Sequence, residues 1–250
     1  MEFLAPEWHD RLTSTNTVLR ERLQRGESLP SGFVLAAREQ TAGRGRLGRS
    51  WVSQPGRDLT FTVFLRHAAG FPALLSLPMA AALGVAAALE EYGVHGRTKW
   101  PNDLQVSGRK LCGILAEREE AGLVVGIGLN VNAEAAELAA IDRPATSLRV
   151  ETGREHPIEL VLDRVLAHLA VWTEHWEEAG FAGLRQAWLA RCVGLGEPVA
   201  IRDGDGRRRG TLAGFGPDGE LLLAEADGAL RPVWSGEIEA EGTAPTPSGA

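Results

Sequence analysis

Gln40-Thr41-Ala42-Gly43-Arg44-Gly45-Arg46-Leu47-Gly48-Arg49-Ser50-Trp51 is the stretch on which the fold turns. Gly43 to Gly48 has the G-x-G-x-x-G spacing of a dinucleotide-binding turn, which joins a strand to a helix. Here the next regular segment is Leu59-Thr60-Phe61-Thr62-Val63-Phe64-Leu65. β-Branched and aromatic residues fill it between two leucines, which predicts a strand. The fingerprint match is therefore spurious. The loop is no phosphate-binding Walker loop either, because no Gly-Lys-Ser/Thr ends it. With Phe33-Val34-Leu35-Ala36-Ala37 as a strand before it, the loop hangs between two core strands. Glycines let a backbone come close to a ligand, arginines offer a fixed fork of donors for carboxylate or phosphate, and a tryptophan face caps a flat or apolar group. Two readings stand at this point, a solvated linker and a clamp over a small anionic ligand.

The chain around it is ordinary in bulk. Its 250 residues are 44% hydrophobic and 24% charged, enough for one sizeable core and a smaller satellite. A net charge of −7 carries no footprint for duplex nucleic acid, so the loop arginines are a local feature and favour a focused anion site. Cys112 and Cys192 stand far apart in apolar surroundings, which fits a reducing, cytoplasmic setting. The start lacks signal-peptide features, and the apolar run from Leu74 to Leu89 is too short to span a membrane.

Ser14-Thr15-Asn16-Thr17 predicts a helix start ending at Gly26, either a plain cap or a binding site for a polar ligand group. A helix is predicted over 76–92, stopped by Gly93. Lys99 stands where a strand turns at Pro101-Asn102-Asp103. A hairpin follows, around Ser107-Gly108-Arg109. Leu123 to Asn132 is the most apolar strand and belongs at the centre of a sheet. Its Gly126 and Gly128 mark close approach of something to the backbone, and Asn130 stands at its end. Residues 133–157 read as loop, Pro157 opens a helix over 158–178, and a short helix covers 181–191. From Gly194 to Glu239 short strands alternate with Asp203-Gly204-Asp205-Gly206, Pro217-Asp218-Gly219 and Asp227-Gly228, the pattern of a small antiparallel barrel. The division expected is 1–193, 194–242 and a disordered tail over 243–250.

The six histidines show no metal-ligand spacing and read as structural or surface residues. No serine stands in a nucleophile elbow, and neither cysteine has an activating basic neighbour. What remains is Ser14, Thr15, Gln40, Arg44, Arg46, Lys99 and Asn130. That inventory suits a reaction whose substrates carry the reactive atoms, such as attack of a carboxylate on the α-phosphate of ATP.

Gly43-Arg44-Gly45-Arg46, Lys99-Trp100-Pro101-Asn102-Asp103, Lys110-Leu111-Cys112-Gly113-Ile114-Leu115-Ala116-Glu117 and Gly126-Ile127-Gly128-Leu129-Asn130-Val131-Asn132 together resemble bacterial biotin protein ligases. Ser14-Thr15-Asn16 and Ser235-Gly236-Glu237-Ile238 extend the resemblance over about 12–240. It implies an α+β chain, with a catalytic domain like that of class II aminoacyl-tRNA synthetases (a mixed sheet with helices) followed by an SH3-like barrel. It implies formation of biotinyl-5′-AMP from biotin and Mg-ATP, then transfer to a lysine of a biotin carboxyl carrier protein. By motif position, Ser14, Thr15, Asn16 and Gln40 would bind biotin, and Arg44, Gly45 and Arg46 would line biotin and the adenylate phosphate. Lys99 would neutralise transition-state charge, acting with Arg44 and Arg46 as the catalytic set. Trp51 would pack on adenine and Asn130 contact the nucleotide, with Asp103 a helper for metal or lysine. With 13 residues before Ser14, the resemblance is to the monofunctional class that lacks a DNA-binding domain; no DNA or membrane partner is expected. It leaves open a homodimer through the catalytic sheet, the role of the barrel and the choice of carrier protein. A lipoate ligase is the enzyme rival, and an RNA-binding module built on the arginine–glycine loop is the non-catalytic one.

Overall fold

The computed structural model describes residues 2–66, 71–203 and 206–239. The expected disordered tail, His67 and the centre of the Asp203–Gly206 turn lie outside these. The elements run β1 (Glu7–His9), α1 (Thr15–Gln24), β2 (Phe33–Ala37), β3 (Leu59–Leu65), α2 (Phe71–Glu90), β4 (Arg97–Lys99), β5 (Asp103–Val106), β6 (Arg109–Glu119) and β7 (Gly122–Leu129). After these come α3 (Ala135–Leu138), α4 (Leu148–Thr152), α5 (Ile158–Ala179), α6 (Arg185–Arg191), β8 (Pro198–Asp203), β9 (Gly206–Phe215), β10 (Leu221–Ala224), β11 (Leu230–Val233) and β12 (Glu237–Glu239).

The first seven strands form one mixed sheet in the order β1-β2-β3-β7-β6-β5-β4, with β7 at its centre as its apolar sequence requires. β1 runs parallel to β2 and the other neighbours are antiparallel. Side chains alternate across a strand, and this sorts the two faces. Phe61, Val63, Leu65, Val125, Ile127 and Leu129 point into the main core with α2 and α5. Thr62, Phe64, Val124, Gly126 and Gly128 point the other way. There α1 packs Leu19 on Leu35, Phe64 and Val124 at one end, and the glycines leave open space at the other. α2 and α5 cross so closely at Gly84 that a Cβ there would stand 2.8 Å from Leu169 Cα.

Some elements differ from expectation. α2 begins at Phe71, five residues early, since a proline in a first turn lacks only a donor that would be unused. The region expected as loop holds α3, capped reciprocally by Glu134 and Glu137, and α4, capped by Ser147. β7 stops at Leu129.

β8 to β12 form a five-stranded antiparallel sheet, ordered β11-β10-β9-β8-β12. Its Val199, Ile201, Leu212, Phe215, Leu221 and Leu223 join the same apolar cluster as α2 and α5. The β9–β10 turn is clamped against the first unit. The fully buried Trp100 donates from Nε1 to Gly219 O at 3.1 Å, and Arg185 donates to Phe215 O and Gly216 O at 2.8 Å each. Among the described residues no helix is long and apolar enough to cross a membrane.

Candidate active site

A cavity of about 620 Å³ opens on the glycine face of the large sheet, between the start of α1, the glycine–arginine loop and the segment after α3. Ser14, Thr15, Asn16, Gln40, Arg44, Gly45, Arg46, Trp51 and Asn130 all line it. Lys99 is not among its lining residues; Lys110 is.

At one end, Ser14 caps α1 and Thr15 and Asn16 are buried in its first turn. Gln40 Oε1 accepts from Thr15 N at 2.7 Å and Thr15 Oγ1 at 3.2 Å. Thr62 Oγ1 lies 2.7 Å from both Thr15 Oγ1 and Asn16 Oδ1. Asn16 Nδ2 donates to Leu115 O at 3.1 Å and Glu117 Oε2 at 3.0 Å. Asn16 fits only because Gly126 beneath it has no side chain; a Cβ there would overlap the amide. Glu117 also receives Arg20 at 2.7 Å and Arg44 at 3.0 Å, so one carboxylate joins α1, β6 and the loop.

The loop folds back on itself through Gly45 N to Arg49 O at 2.7 Å and Trp51 N to Gly43 O at 2.9 Å. Arg46 is directed inward, donating to Asn102 Oδ1 at 3.1 Å and Gly236 O at 3.5 Å. Burial presses its guanidinium below the ordinary value, against Glu237 and Asp103, which favour its charge. Arg49 pairs with Glu237. The second unit thus reaches the loop through β12.

Trp51 lies on Gly128 and Gly113, which pair directly between β7 and β6. Its Nε1 is buried without a partner among the described residues. Lys110 Nζ stands 5.6 Å from the Trp51 ring centre and donates to Asp103 Oδ1 at 2.7 Å. Lys99 faces Asp103 from the other side in the β4–β5 register; burial lowers its ammonium, with Asp103 and Glu237 opposing. Lys110 is the functional candidate that sequence reasoning passed over. Its signal was present in the quoted Lys110–Glu117 motif, three residues before the glycine that carries Trp51. Asn130 is buried, and its Nδ2 is engaged by Thr146 O at 2.9 Å, so it shapes the wall more than it offers a donor.

Both thiols are buried and pushed upward by desolvation, Cys192 to about 12, so neither is a nucleophile. Among the described residues no three His, Cys, Asp or Glu side chains converge on a metal position. Asp103, Asp142 and Glu237 do line the cavity, the first paired with Lys110 and the last with Arg49. A polar pocket end, a flat aromatic floor and a cationic rim define a site that aligns and activates two small molecules, as ligases forming acyl-adenylates require.

Residues 8–133 match the biotin/lipoate A/B protein ligase family, and residues 194–240 match the biotin protein ligase C terminal domain. The biotin–[acetyl-CoA-carboxylase] ligase of Paracoccus denitrificans is 37% identical over 85% of this chain and 92% of its own length. The bifunctional ligase/repressor of Escherichia coli (strain K12) is 33% identical over 91% of this chain and 71% of its own. The solved biotin protein ligase from Aquifex aeolicus in complex with biotin and ATP is 33% identical, with a TM-score of 0.82 over 95% of this chain and 98% of that one. The chain belongs to the biotin/lipoate A/B protein ligase family. Its mixed sheet with helices is the class II synthetase-like fold expected, followed by a small β domain.

Proposed function

We propose that this chain is a biotin protein ligase that activates biotin with ATP and transfers it to a lysine of a biotin carboxyl carrier protein. The observation that carries the reading is one continuous cavity, which joins the α1 polar end to the Trp51 floor past Arg46 and Lys110. The Paracoccus denitrificans biotin–[acetyl-CoA-carboxylase] ligase and the Aquifex aeolicus complex with biotin and ATP support the same substrates.

Ser14, Thr15, Asn16 and Gln40 hold the polar ring of biotin, and the side chain runs from the Gly126 end of the floor toward Arg44, Gly45 and Arg46. The adenine packs against Trp51, with Asn130 setting the wall behind it. The carboxylate of biotin attacks the α-phosphorus, the bond to the bridging oxygen breaks, and pyrophosphate leaves. Lys110 and Arg46 offset the charge that develops there, each on a scale of ~3 kcal/mol; Lys99 acts through Asp103. Asp103 and Asp142, at the cavity edge, would hold Mg²⁺, which would supply charge neutralisation for the departing phosphates. In the second half-reaction the neutral acceptor amine attacks the acyl carbon, AMP departs and a proton is lost from the nitrogen. The chain divides near residue 193 into this catalytic unit and the β domain, a reading supported by the match over 194–240.

Pyrophosphate exchange with Mg-ATP tests the function. Exchange dependent on biotin, and biotinylation of a carrier domain, are expected. Exchange driven by lipoate and not by biotin overturns the reading.

A further inference from the structure

Asp58 immediately precedes β3 and is 4% exposed. Its Oδ2 accepts from Gln54 N at 2.8 Å and its Oδ1 from Val131 N at 3.0 Å, with Ala133 N a third backbone donor. These amides belong to two separate segments. Gln54 ends the glycine–arginine loop, while Val131 and Ala133 follow β7. Both segments line the cavity, through Gln54 and Asn130. The bond from Asn132 N to Arg57 O, at 2.9 Å, runs alongside.

A carboxylate is all acceptor, so both oxygens can receive N–H groups. A carboxylic acid or an amide carries hydrogen on one side, and that side must face an N–H. We propose that Asp58 is a positioning residue for the adenylation site, pinning the exit of the glycine–arginine loop to the end of β7 while it is ionised and loosening the loop when it is not. The surroundings raise its titration above the ordinary carboxylate range. Burial pushes the carboxyl up to about 6, the backbone donors oppose this, and Glu137 of α3 adds to it. Glu134 and Glu137 are held in turn by Arg57, and Arg149 of α4 pairs with Glu134.

The test compares the full chain with Asp58→Asn on both sides of about pH 6. Its kinetic half rests on the biotin ligase reading; its hydrogen-exchange half does not. Asp58→Asn is expected to raise KM for biotin and ATP by about tenfold or more, the scale of one lost bond to a charged group, with kcat less affected. It should also remove an acid limb near pH 6 from kcat/KM. Amides of residues 40–54 should exchange faster in the variant while those of β3 stay protected. The wild type, corrected for intrinsic exchange, should show the same acceleration below about pH 6, which decides the matter even if the variant fails to fold. Exchange of residues 40–54 that ignores both pH and Asp58→Asn overturns the proposal, as does a variant with the wild-type kinetic pH profile. A wild type without biotin-dependent pyrophosphate exchange defeats the ligase reading and leaves the hydrogen-exchange result to decide the pin.

Discussion

Lys110 and Asp103 are joined across the β5–β6 hairpin, Nζ to Oδ1 at 2.7 Å, and Asp103 in turn faces Lys99 in the neighbouring strand. Of the two lysines only Lys110 lines the cavity. Lys110→Ala is therefore expected to cut biotin-dependent pyrophosphate exchange by ~10²–10³-fold, and Lys99→Ala by markedly less. Equal losses, or a larger one at Lys99, would return the principal role to Lys99.

The two glycines of β7 hold different partners apart. Gly126 gives way to Asn16, and Gly128 to the Trp51 ring. Overpacking of this kind costs ~1–3 kcal/mol. Gly126→Ala should raise KM for biotin and spare KM for ATP, and Gly128→Ala should do the reverse. Steady-state kinetics with each substrate varied in turn would reveal a failure of that separation.

Arg46 bridges the loop to Asn102 and to the carbonyl of Gly236. Arg46→Gly removes both bonds and leaves the loop backbone free to lift. The expected result is leakage of biotinyl-AMP into solution, measured by filtration of a single-turnover mixture. Retention equal to that of the wild type would assign Arg46 a role other than closure.

Trp100 is buried and supplies the indole N–H for Gly219 O. Trp100→Phe leaves that carbonyl without its donor, at a cost of ~1–3 kcal/mol. The melting temperature should fall by about 2–4 °C for each kcal/mol in a chain of this size. An unchanged melting curve would mean that the β9–β10 turn is held without this bond.

Asp58 has opposite consequences for stability and for the site. Its folded-state pKa lies above the ordinary 3.8, at about 6, so the native state keeps a proton that the unfolded chain has released. Its contribution is therefore greatest below about pH 4 and declines as pH rises to about 6, by up to ~3 kcal/mol. The difference in urea stability between the wild type and Asp58→Asn isolates this term. A difference that grows with pH over this window would contradict the sign.

Much of this was legible in the residues themselves. The strands from Phe33 to Ala37 and from Leu59 to Leu65 follow from uninterrupted β-forming runs, and Ser14 and Gly26 bracket α1 by their own chemistry. Three-residue β1 could not be read this way, because it exists through its pairing with β2. α3 and α4 are too short for a helical period to emerge. The site shows the same divide. Its loop and helix start announce themselves through glycine, arginine and hydroxyl residues. The direction of Lys110 depends on a register shift between Leu104 and Gln105, which only the paired strands define.

The contact between Arg46 and Gly236 spans 190 positions of the chain, and that between Arg49 and Glu237 spans 188. Contacts so distant in sequence form late, after the local hairpins and helices around them. During synthesis the pocket floor, α1 and Lys110 all emerge well before β12. A nascent chain thus acquires the groups proposed to touch biotin and ATP early, and gains the anchor for the loop above them only when the small β domain has folded against Trp100. The order of translation separates the means of making the reactive intermediate from the means of keeping it.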